Sequence, residues 1–172
     1  MKKICYIMRG VPGSGKSTAA RSIARTAPPG KVGEFWHHIG EFGPDQRCAL
    51  YFGEPDGDIF SAVHSADDYF LNEEGVYVFN RMALGKVHSK NFKSFRESCE
   101  LDIPIVICDN TNLRRKEWKK YAACGDNRGY IVAFVEMPLP NPQVAAERNS
   151  HGVPLADIKR MIKNWEPFNG KI

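Results

Sequence analysis

The chain has 172 residues, 42% of them hydrophobic and 26% charged, a balance ordinary for a globular protein and enough for one domain with a substantial core. No apolar run approaches the roughly 18 residues needed to cross a bilayer, and Ile4 to Met8 is too short for a secretory signal, so the expectation is a cytoplasmic protein with no membrane partner. A net charge of +4 suits an anionic partner such as a nucleotide or nucleic acid.

Lys3 to Arg9 (KICYIMR) is a short apolar run that predicts a buried strand. It leads into Gly10-Val11-Pro12-Gly13-Ser14-Gly15-Lys16-Ser17, which fits the phosphate-loop pattern G-x-x-x-x-G-K-[ST] without a mismatch. Ser17 to Thr26 then has helical spacing. The glycines allow a tight turn that brings successive N–H groups onto phosphate oxygens, and the helix adds its partial positive charge there. Gly13, Ser14, Gly15, Lys16, Ser17 and Thr18 are the expected nucleotide contacts. Lys16 is placed to reach the β and γ phosphates, and the Ser17 hydroxyl to ligate Mg²⁺.

Ala27-Pro28-Pro29-Gly30 stops this helix. Lys31 to Asp58 is rich in glycine and aromatic residues, among them Phe35, Trp36, Phe42, Tyr51 and Phe52. It reads as an insertion (31–58) carrying one or two short strands, its aromatics forming a satellite core or else stacking on substrate bases. Ile59 to Ser65 is the second sheet strand, and Asp67 and Asp68 sit just beyond its end, where ligands bind in open α/β sheets. Such a pair also suits a helix N-cap, and one acid can cap while the other performs chemistry. Leu71 to Asn80 reads as a loop or small hairpin turning at Gly75, and Arg81 to Cys99 as a helix. His88 and Asn91 lie one turn apart on that helix, either meeting a substrate or simply solvated.

Ile105 to Cys108 is the most apolar strand, closed by Asp109, which is either a direct or indirect Mg²⁺ ligand or a strand-end cap. Asn110-Thr111-Asn112-Leu113 follows. Arg114, Arg115 and Lys116 open a helix running to about Cys124; basic residues there oppose the helix dipole, which points to an anionic partner or a solvated surface. Ile131 to Glu136 is a further strand. Asn141-Pro142 starts a helix to about Arg148, residues 149–154 interrupt it, and Pro154 to Trp165 is the last helix. The two helices, about 141–165, have the form of a lid that closes over phosphates and excludes water. Of the cysteines, Cys5, Cys48, Cys99, Cys108 and Cys124, none forms a C-x-x-C pair, and His37, His38, Cys48 and His64 fit no zinc template.

The ordered set G-x-P-G-S-G-K-S-T, D-D-Y-F, D-N-T-N and E-R-N-x-H-G-V-P resembles the kinase domain of phage polynucleotide 5′-kinase and its relatives, which include animal phosphate-loop proteins named for binding a ubiquitin ligase. The resemblance covers nearly the whole chain outside 31–58. It implies an α/β, three-layer P-loop kinase fold with a largely parallel central sheet, a central first strand and a helical lid, over a single domain, 1–172. It also implies ATP as donor with Mg²⁺, and a polynucleotide, DNA or RNA, as acceptor. Asp67 matches the general base, Arg148 a lid arginine on the transferring group, and Asp109 or Asn110 the polar residue closing the third strand. Asp68, Phe70, His88, Asn112 and Arg114 are the candidate acceptor contacts. Phe70 stands where the phage enzyme has a basic residue that grips the neighbouring phosphate, and the second lid arginine has no match around His151 and Gly152. Two rival readings keep the nucleotide site: phosphorylation of a modified-base hydroxyl such as 5-hydroxymethyluracil, and an ATP-binding, RNA-associated adaptor without transfer.

Overall fold

Alternation along the first strand divides the molecule into two cores. In β1 (Ile4–Arg9), Cys5 and Ile7 point to one face of the sheet while Tyr6 and Met8 point to the other, because successive side chains of a strand face opposite ways. The structure is a computed structural model and describes residues 2–26, 33–37, 49–54, 57–72 and 74–170.

Around β1 lie β2 (Gly33–His37), β3 (Ala49–Gly53), β4 (Ile59–His64), β5 (Ile105–Cys108) and β6 (Ile131–Glu136). They form one sheet in the order β2-β3-β4-β5-β1-β6, in which β4, β5, β1 and β6 pair in parallel and β3 alone is reversed, pairing antiparallel with both β2 and β4. The four parallel strands fall within a residue or so of the ranges the sequence predicts. One apolar residue in two suffices for each core, so the strands read as nearly continuous apolar runs.

α1 (Lys16–Arg25) covers the Met8 face, where small Ala20 and Ala24 let it approach closely and Ser61 donates to the Ala24 carbonyl at 2.8 Å. α2 (Leu84–Glu100) and α3 (Arg115–Asp126) cover the Cys5 face. Their inward residues, Val87, Asn91, Phe95 and Ser98 on one and Trp118, Tyr121, Ala122 and Gly125 on the other, recur at helical spacing. The helix expected from Arg81 begins as a short 3₁₀ turn (Arg81–Ala83) capped by Asn80. Leu71 to Asn80 is a small hairpin, with Gly75 at φ 76° and a bridge from Leu71 to Tyr77.

The reading of 31–58 needs one correction. Among the described residues its strands extend the main sheet: Tyr51 and Phe52 are fully buried and join the two principal cores on opposite faces in place of a separate one. Phe42, His38, Cys48 and the stop at 27–30 lie outside the described residues, as do the side chains of Phe35, Trp36 and His37.

α4 (Pro142–Arg148) and α5 (Leu155–Lys163) follow β6. Asn141 accepts the Gln143 N–H at 2.9 Å with Pro142 at the first helical position, as the sequence implies. The segment after α5 folds back: Phe168 stacks on Phe134 at 4.1 Å, and Trp165 lies 4.5 Å under the guanidinium of Arg9. Arg9 is fully buried yet charged, and it donates to the carbonyls of Asn112, Leu113 and Glu166 and to the Glu136 carboxylate.

Candidate functional site

The loop Gly10–Ser17 joins the end of β1 to α1, and two of its glycines have backbone angles that L side chains avoid: φ is 77° at Gly13 and 86° at Gly15. At Gly13 space forbids a side chain as well. A Cβ there would stand 2.1 Å from the Ala145 carbonyl oxygen, because α4 sits directly on the loop. The Ala19 N–H reaches back to the Gly15 carbonyl at 3.0 Å, while the N–H groups of Lys16, Ser17 and Thr18 open the helix with no carbonyl one turn behind them. Ser14 Oγ is buried without a hydrogen-bond partner among the described residues. Orphan donors around a turn of this curvature fit a phosphate group.

Lys16 is buried and its Nζ donates to Asp109 Oδ1 at 2.9 Å. Burial works against its charge, but the charge and hydrogen bond of Asp109, with Asp67 behind it, outweigh that, so the ammonium holds its proton above the ordinary lysine range. Of the two residues closing β5, Asp109 faces Lys16 and Asn110 turns inward. The Asn110 amide accepts the Ala66 N–H at 2.9 Å and donates to Tyr121 Oη at 3.3 Å, and Asn91 donates to the same hydroxyl at 3.2 Å. This buried network fixes the turn that delivers Asp67.

Asp67 and Asp68 occupy the first turn of a 3₁₀ segment, Asp67–Phe70, whose cap position is Ala66, so neither acid acts as a side-chain cap. Tyr77, brought back by the hairpin, donates to Asp67 Oδ1 at 3.3 Å. Burial, followed by the Asp67 charge and hydrogen bond, pushes the Tyr77 phenol above its ordinary value. From the other side His151 approaches: its Nε2 lies 3.7 Å from Asp67 Oδ2, and its ring packs on Tyr77 at 4.3 Å between centroids. Asn149 shapes the turn that carries His151, accepting the Val153 N–H at 2.7 Å and donating to the Ala146 carbonyl at 2.7 Å.

These elements enclose a cavity of about 140 Å³ lined by Gly13, Gly15, Lys16, Ser17, Thr18, Asp67, Thr111 and Arg148, with 149–151 closing it. A second cavity, of about 390 Å³, shares Ser17, Thr18, Asp67, Ser150 and His151 and adds Asp68, Asp109 and Arg21. The loop, Asp67, Asp109 and Arg148, predicted from four separate stretches, thus converge on one crevice at the carboxyl ends of β1, β4 and β5. Among the described residues no group of three or more His, Cys, Asp or Glu clusters as a metal site. A Mg²⁺ here would have Ser17 and Asp109 as its protein oxygens and take the rest from phosphate and water, as that ion commonly does.

Four expected acceptor contacts are placed elsewhere. Phe70 is buried against Ala66 and Val87, its ring 5.9 Å from Tyr77 and 5.2 Å from Phe79. Asn112, at φ 49°, is buried and donates to the Met8 carbonyl at 2.8 Å, bracing β1 instead of facing the crevice. Arg114 turns to Glu117 at 2.9 Å, so the anion its position called for is a side chain of its own helix. His88 lines neither cavity; burial and then Lys120 push its pKa down against the pull of Asp67 and Glu117. Sequence reasoning missed Tyr77 and Arg21. The turn at Gly75 was the signal for Tyr77, because a hairpin returns its second arm to where the first began.

No family model matches the sequence. NEDD4-binding protein 2 of Homo sapiens is 31% identical over 168 residues, covering 96% of this chain and 8% of its own length. YLP motif-containing protein 1 is 27% identical over 183 residues in Homo sapiens and 28% over 183 in Rattus norvegicus, covering 96% of this chain and 7% and 11% of theirs. The chain therefore spans about a tenth of these curated relatives. A solved structure of the Pnkp1/Rnl/Hen1 RNA repair complex contains a chain matching at TM-score 0.62 with 15% identity, over 95% of this chain and 44% of that one. A structure of the Pnkp1/Rnl/Hen1 complex matches at 0.53 with 18% identity, over 86% and 39%. What these structures share with the present one is the fold, which in this chain is a mixed α/β arrangement about a mostly parallel six-stranded sheet.

Proposed function

We propose that the chain is an ATP-dependent phosphotransferase that carries the γ-phosphoryl group to a hydroxyl of a polynucleotide, with Gly10–Ser17 as its P-loop and residues 141–165 as its lid. The observation that carries this reading is the convergence of Lys16, Ser17, Asp67 and Arg148 on one cavity. The likeness to chains of an RNA repair complex supports a nucleic-acid acceptor.

The acceptor oxygen forms a bond to the γ-phosphorus as the bond from that phosphorus to the β–γ bridging oxygen breaks, and ADP leaves with the electron pair. Asp67 accepts the hydroxyl proton; Tyr77 and His151 hold its carboxylate in place. Phosphoryl transfer through a loose transition state needs positioning and charge neutralisation above all. Lys16 and the loop N–H groups supply positive charge from below and Arg148 from the lid. Mg²⁺, when bound, would add charge neutralisation at the phosphates. The 149–151 turn, resting on Asp67, keeps water from the transferring group.

The test offers labelled ATP and Mg²⁺ with 5′-hydroxyl oligonucleotides, duplex DNA containing hydroxymethyl pyrimidines, and free nucleosides. Label is expected on the oligonucleotide. Asp67→Asn should lower the rate by roughly 10² to 10⁴ while ATP still binds, and Lys16→Ala should abolish ATP binding. Label on the hydroxymethyl base alone would move the acceptor to the base. No label on any acceptor, with ATP bound normally, would defeat the transferase reading and favour an ATP-binding adaptor.

A further inference from the structure

The two carboxylate oxygens of Asp67 keep different company. Oδ1 accepts the Tyr77 hydroxyl at 3.3 Å, while Oδ2 faces His151 Nε2 at 3.7 Å, too far for a direct hydrogen bond. The His151 ring is held at that distance. It packs on Tyr77 at 4.3 Å between centroids, and its backbone belongs to a turn fixed by Asn149, which accepts the Val153 N–H at 2.7 Å and donates to the Ala146 carbonyl at 2.7 Å, with Gly152 at φ 64°. His151 Nδ1 is buried without a hydrogen-bond partner among the described residues. A buried N–H left unpaired costs more than an unpaired lone pair, so the neutral ring carries its proton on Nε2, the nitrogen that faces the carboxylate.

An oxygen atom about 2.8 Å from each group, an ordinary hydrogen-bond length, bridges the 3.7 Å gap as the apex of a triangle. A hydroxyl suits that place: it donates its hydrogen to Asp67 Oδ2, accepts the Nε2–H on one lone pair and keeps a second lone pair for attack. Asp67 and His151 both line each of the two cavities, and the smaller cavity is also lined by Lys16, Ser17 and Arg148. We infer that His151 is a further catalytic residue of the transfer, its Nε2–H holding the accepting hydroxyl oxygen against Asp67 and leaving the second lone pair free for the γ-phosphorus. This rests on the transferase reading. In the step itself the hydroxyl proton passes to Asp67, the oxygen bonds to phosphorus as ADP leaves, and His151 keeps its own proton throughout. The lid thereby completes the acceptor site as well as covering the phosphates.

The experiment measures transfer from ATP to a 5′-hydroxyl oligonucleotide by the wild type and by His151→Gln, His151→Asn and His151→Leu. A glutamine amide nitrogen reaches about as far as Nε2, an asparagine one only as far as Nδ1. His151→Asn and His151→Leu should therefore lower kcat by about 10- to 100-fold, the scale of a misplaced reacting group, while His151→Gln keeps kcat within about fivefold of the wild type. KM for ATP and the melting temperature should move little in all three. In parallel, long-range ¹H–¹⁵N NMR of the wild-type protein without nucleotide should show the His151 proton on Nε2. Wild-type transfer by His151→Leu, equal loss in all three variants, or a proton on Nδ1 alone in the NMR spectrum would each overturn the His151 assignment and leave the transferase reading standing. If the wild type labels no acceptor, the transferase reading falls and the His151 assignment falls with it.

Discussion

Two single side chains show how environment sets chemistry in this fold. Tyr77 spends its hydroxyl on Asp67 at 3.3 Å, so it orients the carboxylate without touching a phosphate. Tyr77→Phe should therefore reduce transfer about fivefold to tenfold, the scale of one modest hydrogen bond to a charged group, and leave ATP affinity unchanged; steady-state kinetics with a separate ATP titration would show it. His64 behaves differently. Fully buried between Tyr51 and Phe95, with Nε2 3.0 Å from Ser98 Oγ, it is pushed by burial from 6.5 to about 3. On acidification the unfolded chain takes up this proton near pH 6.5 and the folded chain only near 3, so stability falls across that window as pH falls. The slope reaches about 1.4 kcal/mol per pH unit. Urea midpoints measured at pH 7, 6 and 5 should drop less steeply in His64→Gln than in the wild type, and parallel lines would show that His64 does not titrate this way.

At the scale of elements, the meeting of α4 with the loop decides whether the site is formed. Gly13→Ala must place a Cβ on the Ala145 carbonyl and hold an L residue at φ 77°. The combined cost is roughly 2 to 4 kcal/mol, and nucleotide affinity should fall with it. A Gly13→Ala protein with unchanged melting temperature and ATP affinity would mean that α4 does not rest on the loop. The parallel strands were legible because each is a short apolar run between turn residues, and the loop because its glycines and lysine have fixed roles. The β2–β3 pair was harder to read, since glycine and aromatic residues suit a loop platform as well as a strand; what made it part of the sheet is burial of Tyr51 and Phe52 on opposite faces, a tertiary outcome. The same limit explains Asn112 and Arg114. A polar residue beside a catalytic strand serves the backbone or a neighbouring side chain as readily as a ligand, and only packing chose Met8 for one and Glu117 for the other.

For the molecule as a whole, the returning tail matters more than its distance in sequence suggests. Removing residues 165–172 takes away Trp165, the Glu166 carbonyl and Phe168, leaving the buried guanidinium of Arg9 with fewer partners and Phe134 without its stacked ring. Arg9 keeps Glu136 and the Asn112 and Leu113 carbonyls, so the loss is that of one hydrogen bond to a charged group, about 1.5 to 3 kcal/mol, and denaturant unfolding of the shortened chain should show a loss of at least that size. Arg9 stands next to Gly10, so the segment after α5 is tied to the residue from which the Gly10–Ser17 loop springs. In mechanical terms Arg9 is a rivet, joining β1 to the 112–113 turn and to the residues after α5. A pulling force applied beyond Phe168 reaches Arg9 through Trp165 and Glu166, and so arrives at the start of the Gly10–Ser17 loop.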